Sequence, residues 1–183
     1  VNGPEARVGA TMVCEDPGTT CWLFGGRGYY RLLGDLWRLD HDKAPPKWLQ
    51  VSGKGPAPTE RRGAVAWWDA AAKRMVVGLG QGYYGLRDDF FAFDPAQGTW
   101  SKLQLKGSAP DARLGAAAAY DVGAKAAWIV GGQRHYKLGG DVYRATLKAT
   151  TLTFTAVALK GDQLPELTGG CLVGEGEKLM VVG

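Results

Sequence analysis

Short apolar runs separated by polar turns recur along this chain, four to a unit, and the unit returns. The second unit is the plainest. Its first apolar run is Val65-Ala66-Trp67-Trp68, followed by the turn Asp69-Ala70-Ala71-Ala72-Lys73-Arg74. A second run, Met75-Val76-Val77-Gly78-Leu79-Gly80, is rich in β-branched residues and ends in glycine. A loop from Gln81 to Asp88 leads into Asp89-Phe90-Phe91-Ala92-Phe93-Asp94-Pro95, and Trp100-Ser101-Lys102-Leu103-Gln104-Leu105 closes the unit with alternating character. Apolar runs of this length bounded by turn residues predict buried strands, here four antiparallel strands joined by hairpins.

The other units register onto this one. Each opens with Pro-x-x-Arg-x-Gly-Ala, beginning at Pro4, Pro58 and Pro110, and a worn fourth copy begins at Pro165 with Thr168 in place of the arginine. The arginines Arg7, Arg61 and Arg113 stand 54 and 52 residues apart. The second strand ends at Gly25-Gly26, at Gly78-Leu79-Gly80 and at Gly131-Gly132, and an aromatic opens the fourth strand at Trp48, Trp100 and Phe154. A fixed period of roughly 50 residues with four strands each is the mark of a propeller blade.

In these features the chain resembles the kelch-repeat family, over essentially its whole length. The marks are the paired glycines after strand two, an aromatic near the end of strand three and a Trp opening strand four; Phe93 and Trp100 stand with six residues between them, as the family pattern wants. The departures are Gly78-Leu79-Gly80 for a clean Gly-Gly, Phe154 for Trp, and Thr146 where strand three should end in aspartate. The expected fold is therefore all-β, a kelch-type propeller of about three and a half blades, at residues 4–57, 58–109, 110–164 and an incomplete 165–183. Propellers close with 4–8 blades, so the chain is expected to belong to a larger ring. The recurring Arg7, Arg61 and Arg113 admit two roles, an anion-binding ring or guanidiniums that hold loop carbonyls, and repetition at fixed register favours the second. Ala10, Ala64, Ala116 and Cys171 share one position in the unit, which implies a tight spot near the axis.

Composition narrows the picture only where it bears on partners and compartment. A net charge of +4, spread without a polybasic run, argues against a nucleic-acid partner. No apolar stretch approaches the roughly 18 residues of a membrane span. Cys14 and Cys21 flank the turn Glu15–Thr20, a placement open to facing across strands one and two, where a disulfide would imply an oxidising compartment; the odd total of three cysteines favours reduced thiols and a cytoplasmic setting. The two histidines, His41 and His135, lie in different repeats, and no His/Cys/Asp spacing suits a metal. Gly25-Gly26-Arg27-Gly28 follows a strand but opens no helix, so it lacks the dipole of a phosphate loop. No cofactor is expected. Some kelch propellers are enzymes, galactose oxidase with its Tyr- and His-held copper among them, and no residue here matches those ligands; an enzymatic alternative would place its catalytic groups in further blades.

The candidate site is the loop between strands two and three. It reads Arg27-Gly28-Tyr29-Tyr30-Arg31 in the first unit, Gln81-Gly82-Tyr83-Tyr84-Gly85-Leu86-Arg87 in the second and Gln133-Arg134-His135-Tyr136-Lys137 in the third. Equivalent loops of successive blades emerge on one face, so they would gather tyrosine and cation side by side, the residue types that dominate protein-binding hot spots. Such a face suits an acidic or amphipathic protein segment. The resemblance implies a non-catalytic interaction module, an adaptor, scaffold or subunit of a larger assembly, cytoplasmic and with cytoskeletal or ciliary settings among those the family occupies.

Overall fold

Each apolar run pairs with the next because a strand buried on both faces must satisfy its backbone through its neighbours. The computed structural model describes residues 3–159, 168–175 and 178–182. The first sheet holds β1 (Thr11–Cys14), β2 (Thr20–Arg27), β3 (Leu32–Asp40) and β4 (Lys47–Val51), antiparallel and in that order. The second unit comprises β5 (Val65–Asp69), β6 (Arg74–Gly78), the small hairpin β7 (Gln81–Gly82) and β8 (Gly85–Leu86), then β9 (Phe90–Asp94) and β10 (Thr99–Lys102), with the blade ordered β5-β6-β9-β10. The third contains β11 (Gln104–Gly107), β12 (Ala117–Asp121), β13 (Ala126–Val130), the hairpin β14 (Gln133–Arg134) and β15 (Lys137–Leu138), β16 (Val142–Lys148) and β17 (Thr151–Val157). A last pair, β18 (Cys171–Glu175) and β19 (Lys178–Val182), is antiparallel. Among the described residues there is no helix, and the sheets do not close into a ring.

Blades pack face to face through aromatic contacts. Trp22 and Phe24 of the first blade meet Phe93 and Trp100 of the second, with ring centroids 5.3 and 5.7 Å apart. Phe90 of the second blade meets Phe154 of the third at 5.2 Å. The aromatic that opens strand four thus reaches back onto the preceding blade, which is why the unit repeats it. Around the axis runs a second device, a relay of backbone bonds in which Gly63 N donates to Gly9 O, Gly115 N to Gly63 O and Gly169 N to Gly115 O, each 2.8 Å. All four glycines have φ between +61° and +76°, and a Cβ on Gly63 would sit 3.2 Å from Gly115 N. The Gly of each Pro-x-x-Arg-x-Gly-Ala motif is therefore fixed by the close approach of the next blade.

Three expectations need correction. The fourth strand of the second blade stops at Lys102; Leu103 N donates to Phe90 O, and residues Gln104–Gly107 leave to form a parallel edge strand on β17 of the third blade. Gly78 is not the first of the paired glycines. Leu79 (φ 58°) and Gly80 (φ 92°) take the places of Gly25-Gly26 and Gly131-Gly132, whereas Gly78 is small because the Phe90 ring fills its Cβ position. The preference for free thiols is overturned as well: Cys14 and Cys21 are direct partners across β1–β2 and are joined by a disulfide. Trp48 is half-buried with Gly3 against its ring. The fourth-repeat residues 165–167 lie outside the described residues, as does the Cys171 side chain.

Candidate functional site

The recurrent arginines are structural. Arg61 and Arg113 are fully buried. Arg113 Nε donates to Asp111 O, Nη1 to Gly131 O and Asp141 Oδ1, and Nη2 to Asp141 Oδ2, at 2.8 to 3.0 Å. Arg7 makes the same four contacts with Glu5 O, Gly25 O and Asp35, and Arg61 with Thr59 O, Leu79 O and Asp89. In each blade one guanidinium thus pins the start of its unit to the end of strand two and to the aspartate before the core of strand three. The planar fork is what permits it. Burial pushes the Asp141 carboxyl up, but hydrogen bonds from Arg113 and Tyr143 and the guanidinium charge outweigh it and hold the group down at about 2. Asp35 is lowered in the same way, burial being overcome by Arg7 and Trp37. The carbonyl role was expected. The carboxylate was missed, although an Asp 28 residues after each Arg was there to be found.

Those anchored bases carry the loops between strands two and three, and the stretch from the positive-φ pair to the anchoring aspartate has the same length in each unit, 27–34, 81–88 and 133–140. Val8 bridges Arg27, Arg62 bridges Gln81, and Leu114 bridges Gln133 in matching antiparallel contacts, so the loops leave equivalent strand ends. At their tips stand Tyr30, Tyr84 and Tyr136, with relative exposures of 92, 94 and 104 %. Tyr29 is also exposed and meets Tyr30 edge-on, with centroids 4.4 Å apart. These rings bury almost nothing within the fold.

Tyr83 differs. Its hydroxyl accepts a hydrogen bond from Leu32 N of the neighbouring blade at 2.9 Å, so this ring ties two loops together and serves the structure first. The cations divide likewise. Arg31 pairs with Glu5 at 3.2 Å, and Arg134 with Asp111 at 3.3 Å and Asp141 at 3.7 Å. Arg87 lies half-buried over Gly82, with its Nε lacking a partner. Arg27, Lys137 and His135 are exposed. The structure brings the first two loops together about a cleft of roughly 290 Å³ lined by Arg27, Tyr30, Arg31 and Tyr83, and adds Arg62 and Gln81 to it. Arg62, not anticipated as a site residue, donates through Nε and Nη2 to Gln81 Oε1 at 2.9 and 2.6 Å. The third loop, with Arg134, His135, Tyr136 and Lys137, does not line that cleft. Among the described residues no three His, Cys, Asp or Glu side chains converge as a metal-binding group.

A family model, the KLHDC2/KLHL20/DRC7 Kelch-repeats domain, matches residues 1–183. The chain belongs to the Kelch-repeat family. This membership supports a protein-interaction module in general terms. Among curated proteins the chain is similar to Adagio protein 3 of Arabidopsis thaliana, 32% identical over 116 residues, covering 62% of this chain and 18% of that protein. Among solved structures it is similar to that of YjhT, with a TM-score of 0.65 and 19% identity, covering 82% of this chain and 46% of that one. That likeness carries the fold, and the chain spans about half the length of that chain.

Proposed function

We propose that this Kelch-repeat chain is a non-catalytic interaction module that holds a protein segment on the face formed by its strand-two to strand-three loops, as an adaptor or subunit of a larger assembly. One observation carries the reading. Tyr30, Tyr84 and Tyr136 occupy the same loop position in three blades and are almost wholly exposed in each, while the blades are held by other residues. A large rigid ring with only two side-chain torsions offers contact area at low entropic cost, and leaving three of them in water is unfavourable unless a partner covers them. Arg27 and Lys137 stand beside the tips without ion pairs among the described residues. They favour a segment carrying acidic as well as apolar groups.

The test is cross-linking mass spectrometry on the protein isolated from its native source. Cross-links from Lys137 to a co-purifying protein support the reading. Lysine cross-links to co-purifying proteins that start only from the opposite ends of the blades, at Lys43, Lys73 or Lys125, oppose it.

A further inference from the structure

The repeats supply their own control for deciding which residues the fold requires. Position 62 is Arg in the second unit but Val8 and Leu114 in the others, and position 27 is Arg in the first unit but Gln81 and Gln133 elsewhere. The backbone bridges at these places are the same in all three units. The blade therefore needs neither arginine. Yet both, with Arg31, line a cleft between the first and second loops. This contrasts with Arg7, Arg61 and Arg113, each held by its own aspartate.

The cleft's charge is unbalanced. Arg31 has Glu5 beside it. Arg62 is steadied by the neutral Gln81, which fixes the guanidinium without discharging it, and Arg27 makes no side-chain hydrogen bond among the described residues. Three guanidiniums against one carboxylate leave about two positive charges on the cleft. The Tyr83 hydroxyl accepts from Leu32 N, which leaves its O–H free to donate, and Tyr30 also lines the cleft. A carboxylate carries one charge and is satisfied by one Arg fork. A phosphomonoester carries about −1.5 to −2 with three acceptor oxygens, and Arg clusters are the usual recognition device for it.

We infer that the cleft between the first and second loops is a binding site for a phosphomonoester group, presented by a phosphorylated side chain of the protein segment that docks on the loop face. The inference rests on the loop-face reading and deepens it. Arg27, Arg31 and Arg62 contact the phosphate oxygens, the Tyr83 hydroxyl donates to one of them, and Tyr30 flanks the residue that bears the group.

The test titrates the full chain with phenyl phosphate while following the Arg Nε–H resonances, then repeats the titration on the double variant Arg27→Gln with Arg62→Leu. Those substitutions install residues that the other repeats already use, so the variant should melt within a few degrees of the parent. The expected result is saturable binding that shifts Arg27, Arg31 and Arg62 and is weakened at least about tenfold in the variant, the scale of losing charge-assisted hydrogen bonds. An array of phosphoserine and phosphothreonine peptides should be retained over the unphosphorylated copies. Absence of a saturable shift, or an equal shift in the variant, overturns the site. Inorganic phosphate binding as tightly as any phosphopeptide overturns the phosphoprotein source in favour of a free anion. A native partner retained equally before and after phosphatase treatment overturns the phosphate inference while leaving the loop-face reading intact.

Discussion

Arg113 grips Asp141 through both carboxylate oxygens, at 2.8 and 3.0 Å, while the same Nη1 holds Gly131 O at 3.0 Å. The planar fork engages both carboxylate oxygens in parallel and the carbonyl in one fixed geometry, which a flexible ammonium does not offer. Arg113→Ala leaves Asp141 and the Gly131 carbonyl without their donor and is expected to destabilise the protein by about 3–5 kcal/mol, the range for breaking a buried pair from one side. Urea unfolding measures it. A loss below about 1 kcal/mol, the scale of an exposed pair, would contradict the structural role.

The same carboxylates set a pH dependence. Asp141, at about 2 in the folded chain, lies below the usual unfolded value of about 3.9, and Asp35 is lowered in the same direction. A depressed folded pKa means that the unfolded state binds the proton first. The stabilisation is therefore complete above about pH 4 and is lost as pH falls through the folded value near 2. Thermal melts from pH 5 to 2 should show a falling midpoint, and the slope should be shallower in Asp141→Asn. An unchanged slope would place the acid sensitivity elsewhere.

Trp100 lies where two blades meet, against Phe24 at 5.7 Å and Phe93 at 5.1 Å. Trp100→Ala is expected to destabilise by about 3–5 kcal/mol, as a large core truncation does. Denaturant titration decides it, and a loss near zero would mean that the blade interface does not depend on this ring.

The Cys14–Cys21 disulfide bears directly on compartment. Peptide mapping of denatured but unreduced protein from the native source should find Cys14 and Cys21 unlabelled by maleimide. Labelling at both positions would show the hairpin reduced in the cell and restore the cytoplasmic expectation.

Much of the fold was legible because a blade is built from local hairpins. The four-strand unit, its period and the aromatic that opens strand four all follow from spacing within about 50 residues of sequence. What escaped was non-local. Gln104-Leu105 continue the alternation of Trp100-Ser101-Lys102, so nothing in the pattern says that the chain changes sheets at Leu103; the reason is a parallel partner, β17, that lies 47 residues further on for each paired residue. Gly78 looked like part of a paired-glycine mark, yet its smallness answers to Phe90, and Leu79 adopts a positive φ while filling the core. At the loop face the pattern located the tyrosines and most of the cations. It could not separate Tyr83, spent on Leu32 N, from the free tip at Tyr84, because both sit in one Tyr-Tyr pair. Arg62 was hidden in plain view: its signal is that it breaks the repeat.

The interaction reading turns most directly on the loop tips. Tyr30→Ala with Tyr84→Ala, compared with the parent in capture of the native partner and in thermal melting, separates contact from packing. The account predicts a melting midpoint within a few degrees of the parent, because both rings are over nine-tenths exposed, together with capture reduced at least tenfold, roughly the loss of one interface hot spot. A double variant that melts far earlier, with capture unchanged in the fraction still folded, would contradict it.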